Sequence, residues 1–381
     1  MARSERKNSP SDAETEPQGQ TEELPEFSPS LITIDTFNDL LARYPTTVET
    51  VIRRKETARA IKAATAREKK TRAKEKKHAA DSAASQPTLT PDEEKYIDNE
   101  VRAYLALDEL RYGTLPARVR ERATAAATAT EGKESKTNVS GYLEKDELVQ
   151  LMEWKLKHGV YRPTLLGLVR SNQAALVRRT TASAFATVPA SDPMADLASA
   201  DAEGEAEAEE SDLDSAFPKQ SLETLTAPLR GVGPATASLI LSVATEAAPF
   251  YSDDVFLWLC LGVFPSSAAA AAAAEDGGEK KGGVSKRIRP NGELNVKYNI
   301  QEYRELWEAV QRLRARLAAQ SSDAVSCADV EKVAFVLRHY NVSVYSVEDN
   351  NPASAQEVEE TKRKSDQDVQ AGEERSSKRR R

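Results

Sequence analysis

The stretch Leu229-Arg230-Gly231-Val232-Gly233-Pro234-Ala235-Thr236-Ala237 decides how this chain is read. Just upstream, Leu222-Glu223-Thr224-Leu225 predicts a first helix, which Pro228 and Gly231 end. Gly231 and Gly233 permit a tight, partly left-handed backbone that residues with a Cβ resist. Pro234 suits the first position of a second helix, where its missing N–H costs nothing. Ala237, Ile240, Leu241 and Ala244 then recur along one helical face, and the small residues Ala235, Thr236 and Ala237 let the two helices approach closely. The expected product is a row of unpaired N–H groups at a helix N-terminus beside glycines. Such a row is an anion site, and a DNA phosphate fits it without base preference. Residues Leu229, Arg230, Gly231, Val232, Gly233, Pro234, Ala235 and Thr236 are therefore the candidate DNA contacts, and the hairpin carbonyls a candidate seat for a monovalent cation. The competing reading is a glycine-containing turn between helices that holds no ligand.

Composition limits what surrounds this unit. Of 381 residues, 30% are charged and only 6% aromatic, and several long stretches contain almost nothing to bury. Such stretches cannot recover their ordering entropy, which leaves roughly 200 residues of foldable chain. Two cysteines, Cys260 and Cys327, and three separated histidines, His78, His158 and His339, form no metal-ligand spacing. No apolar run approaches the length of a bilayer span, and MARSERKNSP is not followed by an apolar signal segment. A reducing, intracellular setting is expected. The net charge of −8 is a misleading average. Residues 201–214 hold eight carboxylates and no cation, whereas 53–77 hold twelve Lys and Arg, and local fields govern binding.

Periodicity predicts an all-α orthogonal bundle. One interrupted helical domain is expected over 29–345, between polar tails at 1–28 and 346–381. Helices are expected over 31–44, from the capping box at Thr90-Pro91-Asp92-Glu93 to Leu110, over 144–158, about 164–186, 301–317 and 328–340. The basic segment from Arg53 lacks an apolar stripe, so a solvated helix is expected there up to about residue 80. Linkers are expected at 123–138, 189–217 and 266–288. Trp154 falls off the main apolar stripe of its helix. It is a candidate to line a base pocket, with Lys155 or Arg162 touching phosphate, and Phe250 and Tyr251 are candidates to stack on a base. For all three aromatic residues core packing is the plainer alternative. Lys362-Arg363-Lys364 and Lys378-Arg379-Arg380-Arg381 have the pattern of a bipartite nuclear import signal, which predicts a nuclear protein that engages an import receptor.

The hairpin resembles that of the helix-hairpin-helix DNA glycosylase superfamily, which includes endonuclease III, adenine glycosylase and 8-oxoguanine glycosylase. LMEWKLKHGVYRP (151–163) and VGPATAS (232–238) look most like the Amun-like eukaryotic branch. The resemblance implies two helical subdomains with a base-binding cleft between them. It also implies a catalytic aspartate some twenty residues beyond the hairpin, where this chain has Ser252-Asp253-Asp254-Val255-Phe256-Leu257-Trp258. Asp254 matches through the D-V-x-x-W run that it opens, and Asp253 matches equally well by simple spacing. A carboxylate there can stabilise an oxocarbenium ion and orient water while a flipped base departs. Merely capping the following helix is the alternative role. Bifunctional members carry a lysine nucleophile at the position of Ala235, so the resemblance implies at most a monofunctional enzyme. With only two cysteines the chain has no iron–sulfur loop, and no cofactor is expected. Three readings stay open: a monofunctional base-excision glycosylase, a non-catalytic module that binds DNA or chromatin proteins, or a helical scaffold without DNA contact.

Overall fold

The computed structural model describes residues 26–75, 89–130, 141–159, 162–189, 215–246, 248–265, 286–321 and 324–344. The acidic block at 201–214, most of 266–288, and the basic pairs beyond 345 lie outside them.

The described residues are helical, with no strand and one isolated antiparallel bridge between Ile288 and Leu294. No helix among them is long and apolar enough to cross a membrane. Helix α1 (Ile34–Ala42) leads directly into α2 (Tyr44–Glu75). Then follow α3 (Pro91–Glu109), a π-helical turn (Leu110–Thr114), α4 (Leu115–Thr130), α5 (Lys145–His158), α6 (Pro163–Arg170) and α7 (Ala174–Ala186). The hairpin pair is α8 (Lys219–Thr226) and α9 (Pro234–Leu241). A helical turn Asp253–Val255 continues as a π-helical turn Phe256–Cys260, before α10 (Ile300–Ala318), α11 (Cys327–Arg338) and α12 (Tyr340–Val344).

Local chemistry explains most of these starts. Thr90 and Glu93 form a reciprocal capping box at α3, as do Asn299 and Glu302 at α10 and Ser326 and Asp329 at α11. The apolar faces expected from spacing are buried: Leu148, Leu151, Met152 and Leu156 on α5, and Tyr303, Leu306, Trp307 and Val310 on α10. Trp154 is wholly buried, and Phe250 and Tyr251 are also in the core. None of the three lines an open base pocket.

Other boundaries moved for identifiable reasons. Residues 123–130, read as linker, continue α4, because an Ala- and Thr-rich segment with no Gly or Pro has nothing to stop it. The stretch 164–186 divides at Ser171–Gln173, where the Asn172 side chain turns back to the carbonyl of Val169 at 3.0 Å. Phe27, at the edge of the polar N-terminal segment, is buried, and its carbonyl accepts the Trp258 indole N–H at 2.9 Å. Phe217, at the edge of the acidic linker, packs on Tyr303 and Trp307. The basic helix α2 is buried at Val48, Val51 and Ile52 and mostly exposed between residues 57 and 70.

A buried carboxylate ties three helices together. Asp108 on α3 accepts from the Tyr44 hydroxyl at 3.0 Å and from the Trp154 indole N–H at 2.8 Å. Tyr104 reaches the same carboxylate at 3.4 Å and pairs with His158 Nδ1 at 2.7 Å. Deeper still, Arg111 meets Glu331 at 3.3 Å and donates to the Ser242 hydroxyl at 2.7 Å, joining the π-helical turn to α11 and to the end of α9. Asp108→Ala strands the buried donors of Tyr44 and Trp154, and a loss of about 3 kcal/mol in urea unfolding is expected. Asp108→Asn retains one acceptor and is expected to lose less.

Candidate nucleic-acid interface and adjoining carboxylate site

Within the hairpin only Gly231 takes a left-handed conformation, at φ +77°. A Cβ there would lie 3.0 Å from Leu168 Cβ and 3.2 Å from the Leu165 carbonyl, so both backbone and space call for glycine. Gly233 has φ −100° and open space where a Cβ would go. Its conformation is therefore ordinary, contrary to the expectation that both glycines relieve strain. Pro234 does occupy the first position of α9.

The eight candidate contacts separate into three groups. Leu229, Val232 and Thr236 are buried and hold the hairpin to the bundle. Arg230 and Gly233 are exposed, while Gly231, Pro234 and Ala235 are half-buried. The Arg230 amide donates to Asn172 Oδ1 at 2.9 Å, and Asn172 Nδ2 donates to the Arg230 carbonyl at 3.0 Å. This two-way clip withdraws one amide from ligand binding and fixes the turn. The amides of Gly231, Gly233 and Ala235 donate to no atom of the described residues. The carbonyls of Leu229, Arg230 and Gly233 already accept protein N–H groups.

Ser252, rather than either aspartate, caps the turn that follows: its hydroxyl accepts the Asp254 amide at 3.2 Å. Both aspartates are thereby released for other work, and they diverge. Asp253 accepts the Tyr298 hydroxyl at 3.0 Å and lies in the field of Lys155 and Arg162. Asp254 sits 4.0 Å from the Arg338 guanidinium, with Lys55 nearby, and its side chain is 18% exposed. Burial pushes both carboxyls up; for Asp254 the adjoining Asp253 charge adds to burial and carries it to about 7.

Lys155 stands at the hairpin within the field of Asp253, and Tyr298 holds Asp253; neither role was visible in sequence. The Lys155 ammonium, from α5, donates to the Ala235 carbonyl at 2.8 Å and to the Thr236 hydroxyl at 3.1 Å. It also stands 5.2 Å from the centre of the Phe250 ring. Burial lowers it to about 7, with Asp253 opposing the shift and Arg162 adding to it. Tyr298 holds Asp253 from a left-handed backbone at φ +56°, a costly conformation for a tyrosine. The Arg162 guanidinium lies 5.5 Å from the centre of its ring. Sequence singled out Lys155 as a phosphate contact only, and nothing near Tyr298 signalled its role. No group of His, Cys, Asp and Glu fit to hold a metal occurs among the described residues.

The raised Asp254 carboxyl has a definite pH consequence. Folding favours its protonated form, so its contribution to stability is complete below the ordinary aspartate range and is lost as pH rises through about 7. Asp254→Asn removes this penalty. Thermal melts are expected to show the variant more stable than the parent at pH 8, by roughly 2 kcal/mol, with the gap closing toward pH 4. Equal melting temperatures at both pH values would show that Asp254 ionises normally.

Compared with known proteins, the chain matches no family model, no curated protein and no solved structure.

Proposed function

We propose that this chain is a DNA-binding protein of glycosylase type, in which the α8–α9 hairpin grips a phosphate and the Asp253–Asp254 pair serves base excision beside it. One observation carries the reading. The free amides of Gly231, Gly233 and Ala235 stand at the turn into α9, and Lys155, bonded to that turn, lies in the electrostatic field of Asp253. An anion held by those amides gains from the helix dipole as well as from the N–H donors. It reads no base, so binding should depend on salt more than on sequence.

The acid pair supplies the chemical half. Departure of a base leaves positive charge on the deoxyribose, which a nearby carboxylate stabilises, and a carboxylate of raised proton affinity also draws a proton from an attacking water. Asp254, at about 7, suits general-base work near neutral pH. Asp253, held by Tyr298 and in the field of Lys155 and Arg162, suits charge stabilisation. The C-terminal basic pairs, Lys362-Arg363-Lys364 and Lys378-Arg379-Arg380-Arg381, support a nuclear site of action through an import receptor.

Fluorescence anisotropy with random-sequence duplexes tests the binding half. Affinity is expected to fall steeply between low and physiological salt, and Gly233→Asp, which places a charge in open space at the turn, is expected to weaken it about tenfold. A panel of lesion-bearing duplexes followed by hot alkali tests the chemical half. Strand breaks are expected at one lesion class, rising from pH 6 to pH 8, and absent from Asp254→Asn. Binding without breaks at any lesion identifies a non-catalytic module; no binding at low salt rejects the reading altogether.

A further inference from the structure

We infer that the exposed half of α2 is a second track for a nucleic-acid backbone, reached from the hairpin turn across the last turn of α5. The inference rests on the DNA-binding reading above. It adds a separate surface, with its own ionic contribution to binding.

One face of α2 carries the argument. Val48, Val51 and Ile52 lie on it and are buried in the bundle. At about 3.6 residues per turn the same face continues through Lys55, Arg59, Lys62, Lys69 and Lys70, all of them exposed. Where α2 runs past the core, its inner face therefore changes from apolar to cationic. Carboxylates are kept off this face. Glu56 is buried and accepts from Arg59 at 2.8 Å, and Glu68 falls on the far side of the helix. Arg67, off the face, pairs with Glu93. Lys62, Lys69 and Lys70 have no partner among the described residues.

The residues around these cations select the partner. Between residues 55 and 70 the apolar members of the face are alanines. Alanine gives a folded protein partner no side chain to anchor in a pocket, but it lets a polyanion come close to the helix. From Lys55 to Lys70 the face runs about 22 Å, the length of about six phosphates along one strand.

Placement ties the face to the candidate site. Lys55 Nζ donates to the His158 carbonyl at 2.8 Å, at the end of α5. Lys155, about one turn earlier on α5, donates to the Ala235 carbonyl of the hairpin. Asp254 lies in the field of Lys55, and Asp253 in that of Lys155. A single turn of α5 thus joins the start of the basic face to the hairpin turn, with one aspartate facing each lysine.

Fluorescence anisotropy of the full chain on random-sequence duplexes tests this, comparing the parent with Lys62→Gln, Lys69→Gln and Lys70→Gln combined. Glutamine keeps helix propensity at three exposed positions, so parental thermal melts are expected. The slope of log affinity against log salt is expected to be shallower by about 3 in this variant. Lys62→Arg, Lys69→Arg and Lys70→Arg combined is expected to keep the parental slope. Gly233→Asp is expected to weaken binding while leaving the α2 contribution to the slope in place. A parental slope in the glutamine variant, or a lowered slope in the arginine variant, overturns the inference and leaves the hairpin reading standing. So does a slope change that appears only after residues 201–214 are deleted, because the face then belongs to the chain's own acidic segment. A parent that binds no duplex at low salt removes both readings.

Discussion

A carboxylate taken out of water must be met by donors, and Asp108 meets that demand by drawing α2, α3 and α5 together through Tyr44, Tyr104 and Trp154. Burial raises its proton affinity and the bonds from Trp154 and Tyr44 oppose that rise, so the network is stable only when complete. The orientation of α5 follows from it. With Trp154 turned into the core, its neighbour Lys155 is turned onto the hairpin, where it holds Ala235 and Thr236.

The hairpin is fixed from two other directions. Leu168 and Leu165 on α6 crowd Gly231 so closely that only glycine fits. Asn172, in the turn after α6, grips both backbone groups of Arg230. A turn held in this way is preorganised, with its backbone fixed by packing and not by any ligand. The same rigidity carries over to the acid pair, since the Tyr251 amide donates to the Ser238 hydroxyl of α9 at 2.9 Å.

Electrostatic strain is present beside that turn as well as in the Asp108 network. Asp254 is pushed up to about 7 and Lys155 down to about 7, while Tyr298 sits in a left-handed conformation to hold Asp253. Each feature opposes stability, and the Asp108 network and aromatic core sustain them. What this region adds is backbone donors that meet no acceptor among the described residues, next to shifted titratable groups.

Sequence by itself determined the helical class, because apolar spacing, capping boxes and the Gly-Pro signals at 231–234 act through neighbours only a few residues apart. It also placed the hairpin and put Asp253 and Asp254 forward as a pair. The tertiary structure decided which groups in those motifs are free. Asn172 lies 58 residues from Arg230, and Lys155 lies 80 residues from Ala235, so no local pattern could show that one amide is covered or that an amine stands at the turn. Likewise the two adjacent aspartates carry the same local signal. Only packing, which turns one toward Tyr298 and Lys155 and the other toward Arg338 and Lys55, gives them different surroundings, because a side chain's charge state depends on what encloses it in space.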